Sequence, residues 1–375
     1  MEWKEYSLGD ISKLKYGKNV SAKLCKGPVP IFSGYRKIGT CNTINCKKNT
    51  VIVIARGAGG CGDVKLTKED CFLTNLSISV ELDKGICNAK WFYYNHLLNN
   101  LSFLNSGSAQ PQITIDSLSK YLIRIPPIII QRKIAGILSA LDSKIENNNK
   151  IHANLEAQAE ALFKSWFVDF TPFKDQPFVD SELGPIPQGW KVGKLGDIAL
   201  QSTEKVLTRN DVKVLSPITT GKLVLSEEYF TKQVFSKSIR NYKIVKQGAF
   251  AYNPARVNIG SLGMNEFKFD GCVSPVYVVF ECLKGYSFFF DLFRKTEFFK
   301  QAVISFAIGG VRQTLNYSDF ALIDATIPPL NIVQSFNEIY LHLKKKISIN
   351  EEENQRLAAL RDTLLPKLMS GEIKL

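Results

Sequence analysis

The sequence has few of the residues that bind metals or cross-link a chain. It contains three histidines in 375 residues, and its eight cysteines form no Cys-x-x-Cys pair. A zinc site is therefore not expected, and we interpret the cysteines as reduced and mostly buried. No apolar run approaches the ~20 residues of a membrane-spanning helix. The opening MEWKEYSLGD lacks the basic and then apolar segment of a secretory signal. These absences predict a cytoplasmic protein without membrane contact.

Motifs for catalysis are also missing. Gly57, Gly59 and Gly62 match the dinucleotide-binding spacing, but no amphipathic helix follows them, so a turn between two strands is the better interpretation. The stretch Asn253–Arg256 begins Asn-Pro, as a motif of amino-methyltransferases does, but it lacks that motif's second proline and its aromatic residue. No Ser/His/Asp set, metal cluster or paired acidic motif stands out. The sequence favours a binding protein over an enzyme.

One long helical segment dominates the sequence, from Ile128 to Phe170. It follows Pro126 and Pro127, which can precede a helix but not continue it backwards. Its apolar residues recur at alternating steps of three and four, which is typical of a coiled-coil seam. An amphipathic helix lying on a globular core is the alternative. The seam residues are Ile134, Leu138, Leu141, Ile145, Leu155, Ala159, Leu162 and Trp166.

The segment occurs twice, which decides between these alternatives. Ile125-Pro126-Pro127 recurs as Ile327-Pro328-Pro329, and the polar residues at the middle of the seam, Asn148 and His152, correspond to Asn350 and Asn354. Two seams that cannot bury themselves alone can bury each other. Antiparallel pairing would place Asn148 near Asn354 and His152 near Asn350, and such a polar layer would fix the register.

The blocks that precede the two helices are also related. Trp3, Gly9 and Asp10 recur as Trp190, Gly196 and Asp197, so the chain is one unit written twice. The second copy carries about 15 extra residues, mostly early in its block. Residue patterns predict strands at Val51–Ala55, Ser77–Leu82 and Val276–Cys282, a helix at Asn88–Asn99 that begins with Asn88 as its cap, and a helix at Phe288–Ile304.

We therefore predict an α+β protein with an internal pseudo-two-fold repeat, in which two mixed α/β domains are separated by two long antiparallel coiled-coil helices. The predicted segments are a first domain at 1–127, a central spacer helix at 128–170, a linker at 171–189, a second domain at 190–327 and a C-terminal spacer helix at 328–375.

Positive charge is concentrated in the two blocks. The formal net charge is +13; residues 1–127 carry 17 Lys and Arg against 9 Asp and Glu, and residues 184–327 carry 18 against 12. The first helix is neutral, with 5 of each sign. A basic protein can simply be soluble, but two basic blocks on a neutral spacer favour a polyanionic partner, because neutralised phosphates supply most non-specific nucleic-acid affinity.

Three stretches resemble the DNA-specificity (S) subunits of Type I restriction-modification systems: the first helix with its Ile-Pro-Pro start, the linker ELGPIPQGWKVGKLGDIA and the loop GSAQPQI. The resemblance covers nearly the whole chain. It implies two target-recognition domains that each read half of a split, asymmetric double-stranded DNA site. It also implies that the helices form a spacer, which we expect to hold the half-sites about one duplex turn, ~34 Å, apart.

The resemblance further implies partners that carry the chemistry. Two methyltransferase (M) subunits would methylate adenine with S-adenosylmethionine, and restriction (R) subunits would use ATP and Mg to translocate and cleave unmodified DNA. No cofactor or catalytic residue is assigned to this chain. A self-contained DNA methyltransferase or nuclease, and a coiled-coil adaptor without DNA, are the alternatives. The missing motifs disfavour the former and the basic blocks the latter.

Base readout is expected where the two halves differ and side chains are long and polar, since Arg can bind a guanine edge and Asn or Gln an adenine edge. A phosphate contact or a structural hydrogen bond is the alternative for each residue. Tyr35, Arg36 and Lys37 follow a Ser-Gly turn and could contact phosphates or lie in a solvated loop. The candidates for base readout are Arg56, Gln110, Gln112, Asn253, Arg256, Arg312 and Gln313.

An aromatic cluster near the end of the first helix has two interpretations. Phe163, Trp166, Phe167 and Phe170 could bind an M subunit or pack against the partner helix. The sequence does not separate these alternatives.

The repeat predicts how half of the chain would behave. Residues 1–183 keep one block and one helix, but expose the seam that the second helix would cover. A second copy can supply that helix, and two-fold pairing closes on itself, so we expect a dimer in which Asn148 of one copy approaches His152 of the other. The mass of this fragment with its M subunit, and the sites it modifies, provide the test. A stable monomer, or methylation that still requires the original second half-site, would contradict the prediction.

Overall fold

The computed structural model describes residues 3–20, 26–34, 36–57, 60–106, 111–306 and 314–375. The chain divides into two compact units. Unit 1 consists of Met1–Lys150 with Asn350–Leu375, and unit 2 consists of Ile151–Ile349. Each long helix therefore contributes one half to each unit. The segment boundaries predicted above, which separate helices from blocks, stay a prediction.

Unit 1 contains a block of short strands and helices, followed by the first long helix. Its strands are β1 (Lys4–Ser7), β2 (Ser12–Tyr16), β3 (Val29–Ser33), β4 (Arg36–Cys41), β5 (Val51–Ile54), β6 (Val64–Leu66), β7 (Phe72–Leu73), β8 (Ser77–Leu82) and β9 (Leu122–Ile125), and its helices are α1 (Ala89–Leu98), α2 (Ile115–Ser119) and α3 (Ile128–Phe167), which continues into unit 2.

Three sheets organise this block. Strands β1 and β9 pair antiparallel, β2-β8-β5-β6 form an antiparallel sheet, and β4-β3-β7 form a mixed sheet in which β3 and β7 are parallel. The strands predicted in this block are confirmed as β5 and β8. The Asn88 cap is also confirmed, because the Asn88 side chain accepts hydrogen bonds from the amides of Lys90 and Trp91. Ile134 and Leu138 of α3 share the main core of the unit with Leu365 and Leu368 from the second long helix.

Unit 2 repeats this arrangement after a short β-hairpin, β10 (Phe178–Val179) and β11 (Ile186–Pro187). The remaining elements are β12 (Lys191–Lys194), β13 (Ala199–Ser202), β14 (Lys213–Pro217), β15 (Leu223–Leu225), α4 (Ser226–Tyr229), β16 (Lys243–Val245), β17 (Phe250–Tyr252), β18 (Leu262–Met264), β19 (Gly271–Val273), β20 (Val278–Cys282), α5 (Ser287–Phe293), α6 (Glu297–Phe306), α7 (Tyr317–Ala321), β21 (Asp324–Ile327) and α8 (Leu330–Ser370), which returns to unit 1.

The sheets of unit 2 match those of unit 1 strand for strand. Strands β12 and β21 pair as β1 and β9 do, β13-β20-β17-β18 follow the order β2-β8-β5-β6, and β15-β14-β19 follow β4-β3-β7. The additional strand β16 pairs with β19, where unit 1 has a single bridge between Cys46 and Cys71. The extra residues of the second copy lie largely here. The predicted α+β class and internal repeat are confirmed.

The repeated glycines have a steric role. Gly9 and Gly196 lie against the helical turns formed by α2 and α7. A Cβ added at Gly9 would lie 3.1 Å from Ser119 Cβ, and one at Gly196 would lie 3.0 Å from Ala321 Cβ. The Gly9 amide also donates to the Ser119 carbonyl at 2.9 Å. The repeat thus preserves a close approach that joins the start of each block to its end.

The single helix predicted at Phe288–Ile304 is wrong, because α5 and α6 are separate helices. The Arg294 guanidinium at the break donates to the carboxylate of Asp291 and to the Leu262 carbonyl. Thr296 then starts α6, since its hydroxyl accepts a hydrogen bond from the Phe299 amide at 3.2 Å. Distant contacts of Arg294 outweigh the local apolar pattern that suggested one continuous helix.

Within unit 1 the two long helices run antiparallel, as predicted. Asp142 meets Arg361 at 2.8 Å, whereas Asn148, further along α3, meets Asn354, which is earlier in α8. The Asn148 Nδ2 group donates to Asn354 Oδ1 at 3.0 Å and to Glu353 Oε2 at 2.7 Å. The predicted approach of Asn148 to Asn354 is confirmed, and that of His152 to Asn350 stays a prediction.

A tyrosine-carboxylate-arginine contact joins a block to the helices in each unit. In unit 1 the Tyr94 hydroxyl donates to Asp142, which Arg361 also binds. Burial, and then the Asp142 carboxylate, raise the pKa of Tyr94 well above its usual value. In unit 2 Tyr340 and Arg294 bind Asp291. Burial opposes ionisation of Asp291, but the positive charges of Arg294, Lys344 and Lys295 outweigh it and lower its pKa.

His96 gives unit 1 a predictable pH dependence. Its ring is 2% exposed and is bonded to the Phe92 carbonyl and the Tyr121 hydroxyl, and burial lowers its pKa from 6.5 to about 4. Between about pH 6.5 and pH 4, His96 is protonated in the unfolded chain but neutral in the folded chain. The free energy of unfolding therefore decreases as the pH falls through this range, by up to ~3 kcal/mol. Urea unfolding of the whole chain at several pH values measures this loss.

The matched comparison replaces one histidine at a time. His96→Gln should flatten the pH dependence in that window, although it lowers stability at neutral pH. The exposed His342, changed to Gln, controls for the loss of a histidine. An unchanged pH slope in the His96→Gln protein would contradict the assignment.

Candidate DNA interface

Several candidate residues of unit 1 lie at one edge of its four-stranded sheet. Strands β2 and β5 end at this edge and β8 begins there, because Tyr16 lies opposite Ile78 and Ile54 opposite Ser77. Arg56 lies two residues after the end of β5. We call this surface loop edge 1 and define it by Tyr16, Arg36, Arg56 and Gln112.

The structure brings Arg56 and Gln112 together. Their backbones form an antiparallel bridge, and the Ile113 amide donates to the Ala55 carbonyl at 2.9 Å. The Gln112 amide donates to Asn105 Oδ1 at 2.6 Å. Gln112 and Ile113 therefore lie against the residues that follow β5. Gln110 lies outside the described residues, so its position stays a prediction.

The β3–β4 hairpin reaches the same edge. Its turn lies beside β5, since a Cβ added at Gly34 would lie 4.0 Å from Ile54 Cγ2. Arg36 and Lys37 begin β4 and are exposed. Tyr35, between them and Gly34, is outside the described ranges. The two basic side chains are thus accessible to a large partner, and whether they contact phosphates stays a prediction.

Unit 2 has a corresponding surface, loop edge 2, which we define by Asn253, Arg256 and Thr314. Asn253 and Arg256 follow β17, and the Leu315 amide donates to the Pro254 carbonyl as Ile113 does to Ala55. Asn253 Oδ1 accepts from the Ala255 amide at 3.0 Å, which is a structural hydrogen bond. The Arg256 side chain is exposed. Arg312 and Gln313 are outside the described part of the chain.

The two arginines occupy corresponding loops but not the same position. Val53 pairs with Ile78, and Tyr252 pairs with Val278. Ile78 and Val278 each lie four residues before the end of their strands, β8 and β20, so Val53 and Tyr252 occupy corresponding positions. Counting forward from this pair, Arg56 is level with Ala255, one residue before Arg256. The two edges therefore share a backbone plan and present different side chains.

The basic side chains at the two loop edges are not paired with acidic groups of the chain. Within the ranges that the structure describes, Arg36, Lys37, Arg56 and Arg256 form no salt bridge, whereas Lys246 of unit 2 is paired with Glu204 and Glu281. Unpaired basic side chains at an exposed edge attract phosphates. The described residues contain no group of three or more His, Cys, Asp or Glu that could hold a metal ion.

The aromatic cluster lies in the core of unit 2. Phe163 and Phe167 are 2% and 7% exposed, and Phe167 packs 4.9 Å from Phe336 between ring centroids. Trp166 lies 5.9 Å from Phe336, and Phe170 lies 5.2 Å from Trp190. Packing within the unit accounts for the burial of these rings. A contact with an M subunit stays a prediction.

Tyr16 lies at loop edge 1, although no sequence pattern selected it as a candidate. The Arg56 Cζ atom lies 5.9 Å from the centroid of its ring. Only the pairing of β2 with β8 and of β8 with β5 brings the two together, so no local signal marks Tyr16. Its one sequence cue is that it ends an exposed, lysine-rich strand.

Comparisons with known proteins agree with this geometry. Residues 1–157 match the family described as Type I restriction modification DNA specificity domain. The MjaIX specificity subunit of Methanocaldococcus jannaschii is 28% identical over 347 residues, which cover 87% of this chain and 78% of that protein. The HindI specificity subunit of Haemophilus influenzae is 23% identical and is aligned over 99% of this chain and 100% of its own length.

The fold has a solved counterpart. The S subunit of a Type I restriction-modification system from M. genitalium superimposes with a TM-score of 0.65 at 17% identity, covering 98% of this chain and 96% of that one. At this identity the likeness shows a shared fold. Together with the sequence matches, it confirms the resemblance to Type I specificity subunits. No helix in the described ranges is long and apolar enough to cross a membrane.

Proposed function

We propose that this chain, which resembles the Type I specificity subunits along its length, directs a Type I restriction-modification complex to its DNA site. The block of each unit reads one half of a split, asymmetric double-stranded sequence. The two long helices hold the M and R subunits. The complex then methylates adenine at its site or cleaves unmodified DNA.

The two loop edges carry this proposal. They are built on the same strands and share one backbone contact, from Ile113 to Ala55 in unit 1 and from Leu315 to Pro254 in unit 2. Their side chains differ, since Arg56 stands level with Ala255 and Gln112 is replaced by Thr314. A shared scaffold docks two blocks on DNA in the same way, whereas different side chains at the edges select different bases. Residues common to both edges could not distinguish two half-sites.

The chemistry belongs to the partners in this proposal. S-adenosylmethionine would bind the M subunits, and ATP and Mg the R subunits, in the cytoplasm where the DNA is reached. A chain that is itself a methyltransferase is the alternative. Purified chain alone, incubated with S-adenosylmethionine and DNA, should transfer no methyl group, whereas the complex with M subunits should do so.

The first test of specificity maps methylated adenines after coexpression of the chain with its M subunits. We expect one site with two unlike halves separated by unread base pairs, because the two loop edges differ. A continuous or palindromic methylated site would contradict the proposal. The readout is genome-wide detection of methyladenine, with cells that express the M subunits alone as the control.

Substitution of a single arginine tests each loop edge separately, and Arg256→Ala tests loop edge 2. Removing a base contact should cost ~1–3 kcal/mol and relax the second half-site only. Arg56→Ala is the matched change in unit 1 and should affect the first half-site only. Binding to duplexes altered in one half-site at a time measures both effects.

The salt dependence separates base contacts from phosphate contacts. A variant that weakens binding to all sequences equally, and lowers the salt slope by ~1, has lost a phosphate contact. We expect this behaviour for Lys37→Ala. If Arg256→Ala behaved in the same way, its role in base readout would be excluded.

A further inference from the structure

Buried polar atoms without hydrogen-bond partners lie at loop edge 1 and in the turn beside it. Among the described residues, Arg56 Nε, Thr74 Oγ1 and Ser77 Oγ are buried without a hydrogen-bond partner. Thr74 and Ser77 are 4% and 0% exposed. All three flank the turn that leads into β8, since the Arg56 amide donates to the Leu76 carbonyl at 3.3 Å. Buried polar groups are nearly always bonded in folded proteins, so this cluster marks the edge as unusual.

The ring of Tyr16 is held at both of its ends. Its backbone belongs to β2 and lies opposite Ile78. Its hydroxyl accepts a hydrogen bond from the Ile115 amide at 3.1 Å. The ring is therefore fixed between the sheet and the start of α2, and it is 37% exposed. One face is near Arg56, with 5.9 Å between the ring centroid and Arg56 Cζ.

The Arg56 backbone is equally well defined. It forms the bridge with Gln112, which restrains the main chain, and the Tyr16 ring is the group that lies beside the guanidinium. A free arginine loses much rotamer freedom when it binds a base, and stacking on an aromatic ring in advance reduces that loss. A phosphate offers pairs of acceptor oxygens to the guanidinium fork in several orientations, whereas O6 and N7 of a guanine accept only in the plane of that base. Bidentate donation to O6 and N7 of guanine needs one plane.

We propose that Tyr16 is a positioning residue for Arg56, and that Arg56 reads a guanine in the first half-site. This inference rests on the proposed function and adds a base identity to it. Tyr16 sets the plane of the guanidinium through its ring, and the ring is itself set by the hydroxyl bond to Ile115. Arg56 then donates two parallel hydrogen bonds to the major-groove edge of the guanine.

Unit 2 supplies an internal control. Arg256 is one residue out of step with Arg56, and no aromatic ring stacks on it among the residues that the structure describes. Changes at Tyr16 should therefore leave the second half-site as it was. A role for Tyr16 in folding alone would lower the methylation rate on every duplex and leave the discrimination at both half-sites unchanged.

The experiment uses the full chain in complex with its M subunits. Methylation rates are measured on duplexes in which each base of either half-site is changed in turn, for the wild type and for Tyr16→Leu, Tyr16→Phe and Arg56→Lys. Discrimination is the ratio of rates with the preferred base and with its replacement. Tyr229→Leu, at an exposed tyrosine of unit 2, is the matched control and should leave every ratio unchanged.

We expect one guanine of the first half-site to respond. Tyr16→Leu should reduce discrimination at that base by about 3- to 10-fold, the range of a partly exposed cation–π contact. Tyr16→Phe keeps the ring but loses the bond to Ile115, so its loss should be smaller. Arg56→Lys keeps the charge and loses the planar fork, so discrimination should fall by at least ~10-fold while the salt slope is kept.

Three results would overturn the inference while the proposed function stands: a first half-site without guanine, unchanged discrimination in the Tyr16→Leu complex, or equal losses at both half-sites. If Tyr16→Leu does not fold, as thermal unfolding would reveal, Tyr16→Phe and Arg56→Lys decide the matter by the same ratios. A wild-type complex that methylates no split site would instead overturn the proposed function, and this inference with it.

Discussion

The hydrogen bonds of Asn148 fix the register on which unit 1 depends. Its amide is 1% exposed in an apolar seam, and Nδ2 finds acceptors on both Glu353 and Asn354. Sliding one helix by a turn would leave a buried donor unpaired, at a cost of ~1–3 kcal/mol. The layer also costs some stability, since Asn148 Oδ1 has no partner in the described part of the chain. The polar layer thus lowers the stability of the helix pair but specifies one register.

That register determines how the block of unit 1 is attached. Only when the helices are aligned in this way does Asp142 meet Arg361, and the same carboxylate accepts the Tyr94 hydroxyl of α1 at 2.6 Å. The block is therefore oriented by groups on both helices at once. In unit 2 Asp291 has the corresponding central place between Arg294 and Tyr340. The carboxylate belongs to a long helix in unit 1 and to the block in unit 2. The repeat therefore keeps the contact but exchanges the side that supplies the carboxylate.

Features with local signals could be predicted from the sequence, whereas features set by distant pairing could not. The strand at Ser77–Leu82, the cap at Asn88 and the start of α3 at Ile128 each follow from residues within one or two turns. The break between α5 and α6 has a local signal in the Thr296 cap, but it is also held by the contact of Arg294 with Leu262, which lies 32 residues away.

The candidate site divides in the same way. Residue chemistry and the comparison of the two halves selected Arg56, Gln112 and Arg256 as candidates, and their contact with DNA stays a prediction. Strand register was needed to show that the two arginines are out of step, and that Tyr16 lies beside the first of them. Ladder register depends on the whole sheet, and a short sequence pattern does not encode it.

The short strand pairs at the base of each block have a consequence for where the block can change in length. Lys4 lies opposite Ile125, and Lys191 opposite Ile327, so the chain enters and leaves each block through neighbouring strands. Each block also contacts the helices through side chains such as Tyr94 in unit 1 and Asp291 in unit 2. Unit 2 contains the additional strand β16 between its two paired strands. A block can therefore change in length while these strands and the Ile-Pro-Pro that follows them stay in place.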